Sequence, residues 1–327
     1  MRKLLFWMVA GAFALTAAGY AWLQHPMVLA TASVDLAIEP GTSPRDVAVA
    51  VANAGVDVSP QLLYAWFRVS GLSRQIKAGS YELEAGTTPY SLLRKLVRGD
   101  AALRSVTLVE GWNLRQLREA LAKADQLRPD TKDLSAADLM VRLGRPGVPA
   151  EGQFFPDTYT YGKGTSDVAV LQRALRAMDK HLAAAWADRD PATPLKTPQE
   201  ALILASIVEK ETGQASDRAA IAAVFCNRLR MGMRLQTDPT VIYGLGERFD
   251  GNLRKKDLLT DTPWNTYTRD GLPPTPIAMP GKAALKAALH PAPIKALYFV
   301  ARGDGSSQFS LTLDEHNRAV NKYQRGL

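Results

Sequence analysis

After Arg2 and Lys3 the chain runs from Leu4 to Leu23, LLFWMVAGAFALTAAGYAWL, without a single charge. About 20 apolar residues are enough for a helix to cross a bilayer, so the remainder of the chain must fold as a body tethered to this segment. No Lys or Arg follows until Arg45, and the positive-inside rule then leaves the N-terminus in the cytoplasm and the body outside. The small residues of LTAAGYA also fit a cleaved signal peptide. The length of the run, and Tyr20 and Trp22 near its outer end, favour a retained single-pass anchor, residues 1–24.

The 327 residues are 46% hydrophobic and 22% charged, the balance of a folded protein with one sizeable core and a smaller accessory domain. The net charge of +8 raises the question of nucleic acid. Lys and Arg, however, stand among acidic residues or apolar ones, as in LQRALRAMDK, and neither a zinc-ligand spacing nor an aromatic RNA-binding signature is present, so nucleic acid is not expected as a partner. A mildly basic surface also suits an anionic envelope polymer or a membrane. The one cysteine, Cys226, lies in the apolar helical text AAIAAVFCNRLR; an internal disulfide is impossible, and the thiol reads as a small buried side chain.

The periodicities predict an α+β protein. Residues 33–104 read as strand, helix, helix, strand, helix, with the turn signals EPGTSP (Glu39–Pro44) and EAGTTP (Glu84–Pro89) each closing a strand and capping a helix. Residues 105–150 begin with a strand and helix, VTLVEGWN into LRQLREALAKA, and continue as a polar, proline-bearing connection from Asp125 to Pro149. Residues 151–327 form the larger domain: a strand-like GQFFPDTYTYG, helices over 167–188, 198–212 and 216–231, then loops, a hairpin about Gly303-Asp304-Gly305 and a final helix.

Thr197-Pro198-Gln199-Glu200 is a capping box that fixes the start of one of these helices. At about 100° per residue, Leu204, Ile207 and Val208 centre an apolar face. Glu211 is four residues beyond Ile207 and falls on that face, whereas Glu209 falls opposite, with Ser206 and Lys210, toward solvent or a structural partner. An inward carboxyl group must be paired or protonated, and desolvation raises its pKa into the range useful to a general acid. The alternative on periodicity alone is a fraying helix end that leaves Glu211 exposed. Downstream, MRLQTDPTVIYGLG and TPWNTYTRDGLPPTPIAMPG set Gln236, Asp238, Thr240, Tyr243, Asn265 and Tyr267 on proline-stiffened loops, a mixture of hydroxyl, amide and aromatic groups suited to sugar. Each of them, taken alone, also reads as a turn or capping residue.

The stretches LVEGWNL, EGQFFPDTYTY, EKET, FCNRLRMGMRLQTDPTVIYG, NTYTRDGLPPTPIAMPG and AALHP, in this order and behind an anchor, resemble the endolytic murein transglycosylases of the YceG-like family over nearly the whole chain. Cys226 departs from the aliphatic residue common before NRLR. The resemblance implies an inner-membrane protein with a periplasmic body, a LysM-like subdomain at 33–104 and a catalytic domain at 151–327. It implies a lyase that cuts the β-1,4 bond between N-acetylmuramic acid and N-acetylglucosamine in peptidoglycan strands, leaves 1,6-anhydro ends, ends strand elongation and works beside membrane-bound peptidoglycan synthases. The family's catalytic acid is the second glutamate of EKET, here Glu211, with Gln236, Asp238, Thr240, Tyr243, Asn265 and Tyr267 as the substrate wall and neither cofactor nor metal. Two alternatives stand beside it: a peptidoglycan-binding scaffold in which Glu211 is structural, and a hydrolase in which Asp238 positions water.

Overall fold

The computed structural model describes residues 2–39, 41–100, 103–211 and 214–326. Pro40 of the first turn signal, and Thr212 and Gly213 at the end of the helix bearing Glu211, lie outside the described residues. The chain divides into two compact units, one taking the chain up to Arg104 together with Thr160–Thr165, the other taking Ser105–Tyr159 and everything from Ser166.

In the first unit α1 (Arg2–Gln24) leads into β1 (Val28–Leu29), β2 (Ser33–Ile38), α2 (Pro44–Asn53), β3 (Val56–Asp57), α3 (Pro60–Val69), β4 (Gly79–Glu84) and α4 (Pro89–Arg98). β2 and β4 pair antiparallel from Ser33 opposite Glu84 to Ile38 opposite Gly79, and β1 pairs with β3. Strand alternation turns Val34, Leu36 and Ile38 inward. The three helices start alike: Ser43, Ser59 and Thr88 each accept a backbone N–H of the first turn, and each is followed by proline at the first helical position. Their inner faces close over Leu36, Val51, Phe67, Tyr81 and Leu92. The returning segment is tied to the sheet by an ion pair between Lys163 and Asp35 and by Ser80 Oγ donating to the Lys163 carbonyl at 3.2 Å.

α1 leaves Phe6, Trp7, Phe13, Leu15 and Tyr20 between 66% and 76% exposed. Among the described residues no helix is long and apolar enough to cross a membrane; the side chains of residues 2–5 and 8, on which the charge-free run depends, lie outside them.

β5 (Leu103–Thr107) carries the chain into the second unit, which contains α5 (Leu114–Lys123) and α6 (Ala136–Arg142). The connection expected over 125–149 thus includes a helix of its own, with Leu139 and Met140 fully buried. The chain continues through β6 (Thr158–Gly162), α7 (Asp167–Ala187), α8 (Pro198–Glu211), α9 (Arg218–Arg230), α10 (Asp238–Leu245), α11 (Lys255–Leu259), α12 (Lys282–Leu289), the antiparallel hairpin of β7 (Tyr298–Ala301) and β8 (Ser307–Ser310), and α13 (Leu313–Val320).

α8 is the axis of this unit, packed by α7, α9, α10 and α12. Its start follows the expected box with one shift: Thr197 Oγ1 accepts the Glu200 N–H at 3.1 Å, while the Glu200 carboxylate accepts from Lys196 N, not from Thr197. The one-sided apolar face expected for α8 is not found. Every residue from Ala201 to Val208 is buried, Ser206 included, because a helix covered on all sides has no solvent face to keep polar. Ser206 is satisfied internally, donating to the Ile203 carbonyl at 2.7 Å and accepting Ile277 N–H at 3.0 Å.

Candidate active site

Glu211 is the last residue of α8, where the helix leaves the core. Its carboxyl group is largely withdrawn from water, and burial pushes its pKa up; the hydrogen bond from Thr237 opposes the rise, the Asp238 charge adds to it and the Arg228 charge lowers it. The Thr237 hydroxyl donates directly to Glu211 Oε1. Thr237 stands at the N-cap of α10 yet makes no side-chain capping bond, so its hydroxyl is given to Glu211 instead of to the helix.

The segment that presents Thr237 is held from behind. Gln236 adopts φ +49°, a left-handed conformation rare outside glycine, with its N–H donated to the Thr266 carbonyl at 3.1 Å. Thr237 N–H donates to Thr266 Oγ1 at 3.1 Å, and Thr240 Oγ1 donates to the Thr237 carbonyl at 2.7 Å. Beneath them the Arg228 guanidinium is 8% exposed and spends its donors on backbone, Nε to Leu297 O and Nη1 to Leu235 O, both at 2.7 Å. Burial lowers its pKa, and the nearby Glu211 carboxyl group acts the other way. Its charge therefore reaches Glu211 without a direct ion pair.

The six residues expected to line the site divide in two. Gln236 and Asp238 are exposed on either side of Thr237, and the half-buried Tyr267 donates its hydroxyl to Asp238 Oδ1 at 2.6 Å. Asp238 and Tyr267 lie close enough to Glu211 to couple to it electrostatically, and Gln236 adjoins Thr237 in the chain. Burial and the bond to Asp238 raise the Tyr267 hydroxyl, so it stays a donor. Thr240 and Asn265 are fully buried. Asn265 Nδ2 donates to the carbonyls of Leu258 at 3.0 Å and Thr260 at 2.7 Å while its Oδ1 accepts from Tyr267 N at 2.8 Å, which makes it the staple of its loop. Tyr243 points to another acid, its hydroxyl donating to Glu151 Oε2 at 3.1 Å.

Thr237, Arg228 and Glu151 are not among the site residues expected from the sequence. Glu209 takes the second of its two expected places, a structural partner: Oε2 accepts Gly281 N–H at 2.8 Å and Arg218 stands 4.0 Å from Oε1. Among the described residues no group of three or more His, Cys, Asp or Glu side chains is arranged to hold a metal. Cys226 is buried, its thiol pushed up to about 11 by burial, and is no nucleophile.

One protonatable carboxyl group, sheltered but bordered by exposed polar side chains, is an arrangement for passing a proton to and from a bound polyol or glycan. Comparison with known proteins points the same way. The chain is 31% identical over 310 residues to the endolytic murein transglycosylase of Bacillus subtilis (strain 168), covering 89% of this chain and 85% of that protein. It is 27% identical over 323 residues to the endolytic murein transglycosylase of Streptococcus pneumoniae serotype 2 (strain D39), covering 88% of this chain and 58% of that longer protein. A crystal structure of a yceG-like protein from Listeria monocytogenes superposes with a TM-score of 0.54 at 29% identity, over 88% of this chain and 98% of that one. The profile of the YceG-like family matches residues 36–322, well over half of the chain, and the chain therefore belongs to the YceG-like family.

Proposed function

We propose that this protein is a membrane-anchored endolytic lytic transglycosylase that cleaves the β-1,4 bond from N-acetylmuramic acid to N-acetylglucosamine within peptidoglycan strands. The observation that carries the reading is the Glu211 carboxyl group, its pKa raised by burial, hydrogen-bonded by Thr237 and bordered by Gln236, Asp238 and Tyr267. The names of the relatives supply the substrate class.

Glu211 starts protonated and gives its proton to the glycosidic oxygen as the C1–O bond breaks through an oxocarbenium-like state. The carboxylate so formed takes the proton of the muramic acid 6-hydroxyl while O6 bonds to C1, which closes the 1,6-anhydro ring and restores the acid. The nucleophile is part of the substrate, so the step gains from proximity and needs no water. A hydrolytic route would ask Asp238 to hold water, but one of its oxygens is already taken by the Tyr267 hydroxyl.

Around this chemistry we place a LysM-like first domain over 33–104, a catalytic domain over 151–327, the N-terminal helix as a single-pass inner-membrane anchor, a periplasmic body, and a role in ending strand elongation beside membrane-bound synthases. The test is uncrosslinked glycan incubated with protein lacking residues 1–24, in water labelled with heavy oxygen. Unlabelled anhydromuramyl ends from wild type, and their loss by about a thousandfold in Glu211→Gln, are expected of the sole proton-transfer group. Label in the reducing ends would establish hydrolysis instead. Glycan that binds but stays uncut would leave only a scaffold.

A further inference from the structure

The proton transfer assigned to Glu211 makes no use of Glu151, although Glu151 is an acid buried to 7% exposure in the same unit. Burying a carboxyl group is costly unless its oxygens are satisfied. Those of Glu151 are met by neutral donors: Leu114 N–H stands 3.0 Å from Oε1 and 3.1 Å from Oε2, and the Tyr243 hydroxyl donates to Oε2 at 3.1 Å. Leu114 is the first residue of α5, so the carboxyl group takes up an N–H that no helical carbonyl can serve.

Tyr243 links this acid to the site. It lies toward the C-terminal end of α10, an eight-residue helix about 12 Å long. Its ring meets Trp264 edge-on at 5.4 Å, and Trp264 Nε1 donates to Thr275 Oγ1 at 2.9 Å. The start of the same helix carries Thr237, bonded to Glu211, and Asp238, bonded to Tyr267. A short helix held at its far end by Glu151 and Trp264 presents its near end at a fixed tilt. A displacement of about 1 Å in a group that orients a catalytic acid is enough to cost a hundredfold in rate.

We infer that Glu151 is a positioning residue: by bridging the start of α5 and the Tyr243 hydroxyl it fixes α10, and through α10 the Thr237 hydroxyl on the Glu211 carboxyl group. Among the described residues the side-chain hydrogen bonds of Glu151 go to Leu114 and Tyr243, and it acts on Glu211 through Tyr243. The inference rests on Glu211 being the acid of the reaction.

The experiment uses the full chain in detergent, with uncrosslinked glycan and anhydro ends as the readout, and a melting curve for each variant. Glu151→Ala is expected to lower kcat by about a hundredfold with KM nearly unchanged, because the binding residues stay in place and only the acid is misaligned. Tyr243→Phe, which removes one oxygen, should lower kcat by about tenfold. Since both act through one bridge, the double variant should be no slower than Glu151→Ala. Oε2 alone receives both Tyr243 and Leu114, so Glu151→Gln with its amide oxygen in that place should recover at least about tenfold of the alanine loss.

A wild-type kcat in Tyr243→Phe, a change confined to KM, or losses that multiply in the double variant would each overturn the inference while leaving Glu211 untouched. If Glu151→Ala does not fold, Tyr243→Phe decides by the same measure. Wild type without anhydro ends, or full activity in Glu211→Gln, would instead overturn the reading of the site and this inference with it.

Discussion

At the scale of single residues, the site is a contest over one proton. Burial and the Asp238 charge hold it on Glu211, while the Thr237 hydrogen bond and the Arg228 charge favour its release. In the proposed reaction Glu211 serves first as an acid and then as a base, and such a balance favours it, since either extreme would slow one half of that reaction. The groups facing Glu211 from the surrounding elements are Thr237 and Asp238 at the start of α10, Arg228 on α9 and Tyr267 in the loop after α11. Only the protonated form donates, so activity should fall as pH rises through the raised Glu211 pKa. Asp238→Asn removes a charge that raises that pKa, and the alkaline limb of the pH-rate profile should then move to lower pH. A limb that stays in place or moves upward, measured on soluble glycan, would show that Asp238 does not act on Glu211 through its charge.

At the scale of elements, the sequence was most informative where the physics is local. Ser-Pro and Thr-Pro pairs mark helix starts because a hydroxyl acceptor and a fixed φ act within one turn, and α2, α3, α4 and α8 begin as read. The hairpin about Asp304 was visible for the same reason. What could not be read was which neighbours come from far along the chain. Ser206 gave α8 a false polar face because its acceptor role toward Ile277 N–H spans 71 residues. Asn265 presented the chemistry of a sugar ligand, and only the folded loop shows its amide closed on Leu258, Thr260 and Tyr267. This distinction has a measurable consequence. Asn265→Ala takes the partner from two part-buried carbonyls and an N–H, and should cost roughly 2 kcal/mol of stability, seen as a lower urea midpoint. If Asn265→Ala melted like wild type but bound glycan poorly, the residue would belong to the substrate wall after all.

At the scale of the whole molecule, α1 differs from the core-forming helices in what it exposes. Helices such as α4, α7 and α8 bury at least one face, whereas α1 turns Phe6, Trp7, Val9, Phe13, Leu15 and Tyr20 outward, each more than 60% exposed. Apolar surface left in water costs about 25 cal/mol per Å², and six such side chains amount to a patch far beyond what a soluble monomer leaves open. Two environments relieve this: a bilayer, or apolar contact with other chains. The charge-free run from Leu4 to Leu23 has the length for the first, and in a bilayer Arg2 and Lys3 would supply the flank that sets its orientation. A spanning helix is held by its apolar surface, whereas a basic body resting on anionic lipid is held by charge and screened by salt. Membranes from cells making the full chain should therefore keep it through high salt and alkaline carbonate, and removal of residues 1–24 should release it to the soluble fraction with its activity on isolated glycan intact. Release of the full chain by salt alone would reduce the attachment to surface electrostatics, and recovery of the full chain as a soluble oligomer would mean that α1 is buried against its own copies.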